Sequence, residues 1–326
     1  MTGGGLSVLA PDGVPEVRAG DDLAALLVAA LSPTDGDVVL VTSKVVSKAE
    51  GRSVPGTDRI AAVEAELAEP GARVVARRGP TTIVRTRLGL TMAAAGVDGS
   101  NVEAGSVLLL PLDPDGTARA LRHAVHARTG ANVGVVVTDT AGRAWRTGQT
   151  DIAIGAAGIV VLDDHSGRTD AYGNELAVTA PALADELAGA AELAQGKLTG
   201  RPFALVRGRA DLVLPVGEDG PGALALVRVE GEDLFGYGAR EAAVRALGGH
   251  PGDQAPFGAP ASAEEMAHAV ARALGTTAEP AGEGLAVPQD PRLAALAFAH
   301  GWVLDGASHR GPEEGTEKAV IRPLTP

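Results

Sequence analysis

VGVVVTDTAGRAWRTGQTDIAIGAAG, Val133 to Gly158, is the stretch on which the reading of the chain turns. Its opening residues Val133, Val135, Val136 and Val137 form a β-branched run of the kind that fills a buried strand. The run ends in Thr138-Asp139-Thr140, so a carboxylate and two hydroxyls sit where a strand meets a loop. Gly142, Arg143, Arg146, Gly148 and Gln149 follow as a turn with two cations, and Trp145 is its large apolar residue. Asp151 comes next, then the small-residue run Ala153-Ile154-Gly155-Ala156-Ala157-Gly158. Oxygen ligands beside arginines and bare glycine backbone suit a magnesium-phosphate group. Hard cations take carboxylate and hydroxyl oxygen, while N–H and guanidinium groups take phosphate. A strand, a polar turn and a helix without chemistry would use the same residues, and the stretch alone leaves both readings open.

Composition narrows the classes. The 326 residues suffice for one large domain or two ordinary ones. Hydrophobic residues make up 45% but aromatics only 2%, so the core must be built from Val, Leu, Ile and Ala. A net charge of -13 argues against non-specific nucleic-acid binding, although local cations can still hold an anionic substrate. There are no cysteines, which excludes disulfides, thiolate zinc sites and cysteine nucleophiles. MTGGGLSVLAPDG has neither the basic region nor the apolar run of a secretory signal, and no apolar run is long enough to span a membrane. The expectation is a cytoplasmic protein without nucleic-acid or membrane partners.

Taken in order, Leu6 to Leu9 reads as a strand and Asp12-Gly13-Val14-Pro15 as a turn. Asp21 and Asp22 precede a helix over Leu23 to Leu31, with acids at its positive end. Val38 to Val41 is a second buried strand, and it runs into the polar segment Thr42 to Arg52, where Ser43, Lys44, Ser47 and Lys48 crowd a strand end. Such an end is a common place for a ligand, and equally a solvated link. Arg59 to Leu67 reads as a helix and Val74 to Ala76 as a strand. Arg77, Arg78, Arg85 and Arg87 then make a basic patch, for solubility or for an anion. Asp98 and Asn101 form a turn pair that local backbone preference alone explains. Ala118 to Arg128 is a helix whose His123 and His126 read as surface residues. Val160 to Leu162 reads as a strand, Ala182 to Gln195 as a helix and Phe203 to Val206 as a strand. The loop Gln195 to Arg201 is cationic and bracketed by glycines, yet GxxxxGK[ST] occurs nowhere and no GxGxxG follows a strand. From Gly248 a Pro/Gly/Ala-rich linker leads to a capping box at Ser262-Ala263-Glu264-Glu265 and a helix through Leu274. A second helix is expected over Arg292 to His300, and the tail after Asp305 reads as disordered.

Six segments then carry a resemblance: VTSKVVSKAEGR (41–52), AAAGVDGSNV (93–102), VVVTDTAGRAWRTGQTD (135–151), AIGAAG (153–158), DAYGNEL (170–176) and ADELAGAAEL (184–193). Over about residues 6 to 245 the chain resembles the coenzyme F420-0:γ-glutamyl ligases, including the N-terminal ligase domain of the actinobacterial two-domain enzyme. The resemblance implies an α+β, two-lobed mixed α/β fold peculiar to the family, and a homodimer. It divides the chain into a ligase domain, 1–247, and a linker with a small, partly helical extension, 248–326. It implies GTP-dependent addition of L-glutamate to F420-0, and then of further γ-linked glutamates, through an acyl phosphate, with GDP and phosphate released. Actinobacterial relatives often carry a flavin-binding, nitroreductase-like domain; residues 248–326 are too few for it, so no FMN is expected.

Position by position, the resemblance assigns Asp98, Asp139 and Thr140 to a divalent metal, Mg²⁺ or Mn²⁺, and leaves a role for K⁺ open. It assigns GTP contacts to Asp12, Gly13, Val14, Pro15, Ser43, Lys48 and Asn101, and to the loop that begins Gln195, Gly196, Lys197. Some members place an acidic metal ligand in that loop; here Lys197 stands in it, free to pair with phosphate directly. Arg143 and Arg146 are candidates for the phosphoryl or substrate side on charge and position alone. Two other functions fit the same residues. One is a nucleotide-dependent carboxylate–amine ligase with a different acceptor, the other a GTP-binding regulatory protein without turnover.

Overall fold

The computed structural model describes residues 5–55, 59–100, 105–310 and 317–324, with the backbone alone for 306–310 and 317. Asn101 lies outside the described residues. The architecture is mixed α/β, and the chain divides into two compact units, Met1–Arg73 with Val84–Val227, and Val74–Ile83 with Arg228–Pro326.

The first unit is built on a five-stranded sheet in the order Ser7–Leu9, Phe203–Arg207, Val38–Thr42, Gly134–Gly142, Gln149–Ala157. Only Val38–Thr42 and Gly134–Gly142 run parallel; the other neighbours are antiparallel. Side chains alternate across a strand, and here both faces are covered, which is why these segments read as continuous apolar runs. Val39, Val41, Val135, Val137 and Phe203 face the helices Leu23–Leu31 and Pro114–Thr129 through Leu27, Ala118, Leu121 and Val125. Val38, Leu40, Val136, Ala204 and Val206 face the helix Leu183–Gln195 through Leu187, Ala188 and Ala191. The turn 143–148 therefore joins two strands of a hairpin, and the small-residue run is the second of them. Its smallness has a reason: a Cβ at Gly155 would lie 2.4 Å from the Pro114 carbonyl, so only glycine lets that helix start so close to the sheet.

The helix Leu23–Leu31 starts as its acids predict, with the Asp22 carboxylate accepting from Ala25 N. Residues 160–162 depart from expectation: Ile159 makes a single bridge to Val213 and no strand follows. An ion pair with a buried carboxylate ties two neighbouring interior strands at their ends. Asp37, only 1% exposed, accepts from Arg207 Nε and Nη2 at 2.7 Å each and from Thr34 N at 2.8 Å. Burial alone would raise the Asp37 carboxyl, but the Arg207 and Thr34 bonds outweigh it and hold it below 3.8. A carboxyl depressed by folding stabilises the native state above its unfolded value, and that stabilisation fades as acid protonates it. Asp37→Asn is therefore expected to cost about 1–3 kcal/mol near neutrality, from charged hydrogen bonds lost at a buried site. Its deficit against wild type should shrink as pH falls below about 4. Urea midpoints compared across acidic and neutral pH check this; a deficit independent of pH would contradict it.

The second unit has its own core of Met266, Val270, Leu285, Val287, Leu293, Ala297, Trp302 and Ile321. The helix Ala263–Leu274 begins at the expected capping box, with Ser262 and Glu265 bonded reciprocally. An antiparallel sheet follows in the order Glu279–Ala281, Gly284–Pro288, Glu317–Pro323, Trp302–Arg310. The tail after Asp305, which reads as disordered, thus supplies the end of one strand and the whole of another, registered by pairs such as Ser308 with Ala319. Pairing between segments is invisible to local composition, which is what misleads there. This unit begins at Arg228, where the sequence reading begins the extension at 248, and it includes residues 74–83. Gly238 N donates to Val75 O at 2.8 Å and Arg77 N to Glu241 at 2.7 Å, tying that early segment in. Among the described residues no helix is long and apolar enough to cross a membrane.

Candidate functional site

Strand register assembles the site. The parallel pairing of Val41 with Val137 and Thr42 with Thr138 ends with the first strand, while the second runs on to Gly142 along Gln149–Ala157. One step further, Ser43 opens the helix Ser43–Ala49 beside Asp139, and its hydroxyl donates to Asp139 Oδ1 at 2.9 Å. The hairpin register shifts by one residue between Val137 and Thr138, a bulge that re-aims the strand end. It sets Thr140 opposite Asp151. The Thr140 hydroxyl donates to Asp151 Oδ1 at 2.7 Å.

Alternation then splits the polar residues between the two faces of the strand. Asp139 continues the side of Val135 and Val137, towards Ser43 and Lys44. Thr138 and Thr140 continue the side of Val136, towards the end of the helix Leu183–Gln195. There Lys197 Nζ donates to Thr140 Oγ1 and to Asp151 Oδ1 at 3.1 Å, and it pairs with Glu192 at 3.1 Å. On the other side Lys44 Nζ lies 2.6 Å from Asp98 Oδ2. Asp98 is fixed by its backbone, which exchanges both hydrogen bonds with Leu108, and by the Ser100 N–H donating to its Oδ1 at 2.8 Å.

These groups border a cavity of about 630 Å³ at the ends of the parallel pair. Open α/β sheets hold ligands at such a carboxyl end, and here one strand turns into a helix at Ser43 while its neighbour runs on. Four cations line it, Lys44, Lys48, Lys197 and Arg201, together with Glu16, Asp139, Asp151 and Glu192. Lys48 Nζ pairs with Glu16, and Arg201 forks onto Asp12 at 2.7 and 3.0 Å.

Charge in the cavity is not balanced locally. Burial pushes the Asp139 carboxyl up to about 6, and the neighbouring Asp151 charge adds to this; Ser43, the Thr140 N–H and Lys44 offset it only in part. Lys197 goes the other way: burial opposes its charge, but Asp151 and Glu192 outweigh burial and raise it. At Asp98 burial is likewise outweighed, by Lys44 and Ser100, and its carboxyl is lowered.

A divalent ion fits this donor set. A half-buried carboxylate short of positive charge, with a hydroxyl and a second carboxylate near it, is what a hard cation relieves. Among the described residues no three His, Cys, Asp or Glu side chains gather as a ready cage. Magnesium does not need one, because it keeps waters and takes substrate phosphate oxygens beside one or two carboxylates.

Of the residues singled out in the sequence, Val14, Pro15, Ser43, Lys48, Asp139, Thr140, Gln195, Gly196 and Lys197 line the cavity. Asp12 reaches it through Arg201, next to Gly13, whose φ of 84° makes the turn. Asp98 reaches it through Lys44. Arg143 and Arg146 do not line it; they sit on the exposed hairpin turn, where Arg143 donates to Thr147 O at 3.1 Å. The sequence reading passes over Glu192, and it names Lys44, Asp151 and Arg201 only as members of polar segments, without individual roles. Strand register is the missing signal for Asp151, and helix phase for Glu192.

The family described as F420-0:Gamma-glutamyl ligase matches residues 13–208, more than half of the chain. "Coenzyme F420:L-glutamate ligase" of Archaeoglobus fulgidus is 40% identical over 218 residues, covering 62% of this chain and 88% of that protein. The protein of the same name from Methanopyrus kandleri is 41% identical over 256 residues, covering 71% of this chain and 99% of its own length. That of Halobacterium salinarum is 42% identical over 223 residues, covering 62% and 87%. The matched span holds every residue that lines the cavity, and the chain belongs to the F420-0:gamma-glutamyl ligase family.

Proposed function

We propose that the protein joins L-glutamate to coenzyme F420-0 in a GTP-dependent reaction, and then adds further glutamates through their γ-carboxylates. The observation that carries this reading is the convergence of Lys44, Lys48, Lys197 and Arg201 with Asp139 and Asp151 on one cavity. It does so in a chain about 40% identical to proteins named for that ligation.

A carboxylate resists attack by an amine because its leaving group would be oxide. Phosphoryl transfer from GTP to the acceptor carboxylate converts that oxygen into phosphate, giving an acyl phosphate and GDP. The glutamate amine then attacks the acyl carbon, loses a proton, and expels phosphate as the amide forms. Charge on the transferred phosphoryl group needs cations held in place beforehand. Lys48 and Arg201 border the cavity as phosphate partners, and Glu16 and Asp12 hold their side chains there. Asp139 would hold a Mg²⁺ or Mn²⁺ ion, while Asp98, which the family resemblance also gives to the metal, is paired with Lys44, and Thr140 lies on the neighbouring face. Such an ion supplies Lewis-acid stabilisation of phosphoryl oxygens. Ser43 orients the Asp139 carboxylate with one donated hydrogen bond and leaves its charge uncancelled. The reading includes a cytoplasmic homodimer.

Lys48→Ala tests the nucleotide side. Loss of one charged phosphate contact should raise KM for GTP about tenfold or more with a smaller change in kcat, since such contacts contribute about 1.5–3 kcal/mol. Steady-state kinetics with GTP varied at saturating glutamate and F420-0 decides it. An unchanged KM would remove Lys48 from the nucleotide site.

A further inference from the structure

Three oxygens converge on Lys197. Its ammonium donates to Thr140 Oγ1, to Asp151 Oδ1 at 3.1 Å, and pairs with Glu192 Oε1 at 3.1 Å. Asp151 is only 3% exposed, and the Glu192 side chain is largely covered. Two carboxylates and a hydroxyl around one point, half out of water, are a cation's coordination shell, and here a lysine fills it. The chain reaches the position by a sharp exit from the helix Leu183–Gln195. Gly196 takes φ +64° as its C-cap, and Lys197 follows at once. On the other face of the same strand the balance is opposite. Asp139 there has a hydroxyl from Ser43 but, among the described residues, no ion pair of its own, while Lys44 is engaged by Asp98.

We propose that Lys197 is a resident cation for the Thr140, Asp151 and Glu192 side of the site, so that the protein takes one divalent ion per protomer, at Asp139, and no second. The proposal rests on the reading of the cavity as a metal-assisted nucleotide site. An ammonium within 3.1 Å of Asp151 repels a divalent ion from the same oxygens and already neutralises them. Thr140, which the family resemblance gives to a metal, is on this account a ligand of Lys197. The three N–H donors of Lys197 are spent on Thr140, Asp151 and Glu192, so it acts on a neighbouring phosphate through its charge, from a side chain more than half exposed. It is a positioning residue for the phosphate side.

The test is a Mn²⁺ count. Free Mn²⁺ is measured by electron paramagnetic resonance during titration of the whole chain with Mn²⁺ alone. Wild type and Lys197→Arg should bind one Mn²⁺ per protomer. Lys197→Glu exchanges the ammonium for a third carboxylate and should bind two. Two ions on wild type, or one on a folded Lys197→Glu, would overturn the proposal while leaving the metal-assisted reading standing. No ion on wild type would sink that reading itself, a different result from either. Wild type alone decides the matter should the Glu variant fail to fold.

Discussion

Asp139→Asn is expected to abolish measurable ligation, with a loss of about 10³-fold or more in kcat, and to leave the fold intact. Asparagine keeps the shape of the side chain and can still accept the Ser43 hydroxyl bond. What it removes is the negative charge at the centre of the cavity. That charge is not there for stability: burial and the Asp151 carboxylate both work against it. A group that folding makes harder to ionise is one the fold would be better without, so its presence points to a ligand that compensates it. The variant should therefore melt no earlier than wild type in the absence of metal, while turnover disappears. Kinetics and thermal melts on the same preparation check both halves. Turnover within about tenfold of wild type would remove Asp139 from the chemistry, because loss of a charged metal ligand cannot be that mild.

Arg122→Ala is expected to destabilise the first unit by about 3–5 kcal/mol, the cost of breaking a buried ion pair from one side. The Arg122 side chain is 4% exposed and spends its whole fork on neighbours. Nε donates to Val133 O at 3.1 Å. Nη1 donates to Glu218 O at 2.6 Å and Asp219 Oδ1 at 2.9 Å, and Nη2 to Asn132 Oδ1, Leu214 O and Pro215 O at 2.8–3.0 Å. It thereby ties the helix Pro114–Thr129 to the segment 214–219, beneath Gly158. A Cβ at Gly158 would come within 2.0 Å of Arg122 Nε, so the glycine is what makes room for the guanidinium. Alanine would take the guanidinium from the Val133, Pro215 and Glu218 carbonyls, while Asp219 keeps His123 and Leu214 O keeps Asn132 Nδ2. Arg122→Lys should rescue little, since a point charge cannot serve a planar fork. The urea midpoint and melting temperature of Arg122→Ala and Arg122→Lys report the effect. A loss below about 1 kcal/mol for alanine would mean that water replaces the fork.

How far the site can be read without the fold depends on the range of the signal. Asp139 and Thr140 are legible because the strand Val133 to Val137 and its polar end are contiguous. The capping box at Ser262 is legible for the same reason, as is the Asp22 cap. Asp151 lies in the same stretch yet does not stand out, because its place beside Thr140 depends on a bulged hairpin register. Arg143 and Arg146 stand out for charge, and charge alone does not tell an exposed turn from a cavity wall. The tail after Asp305 reads as disorder, since Glu317–Pro323 is held between the neighbouring strand Trp302–Arg310 and the more distant Gly284–Pro288, and neither pairing shows in local composition. Glu192 shows the same limit on a helix. Its neighbours Leu187, Ala188 and Ala191 fix the apolar face, but only the loop beyond Gly196 brings Lys197 back to it.

The most direct measurement is a mass spectrum of F420-0 after incubation with the protein, L-glutamate, GTP and Mg²⁺ or Mn²⁺, with GDP quantified in parallel. The account predicts mass increments of one glutamyl residue or several, with one GDP formed per increment. GTP binding without any mass change on F420-0 would contradict it, and would point instead to a different acceptor or to a nucleotide-binding protein without turnover.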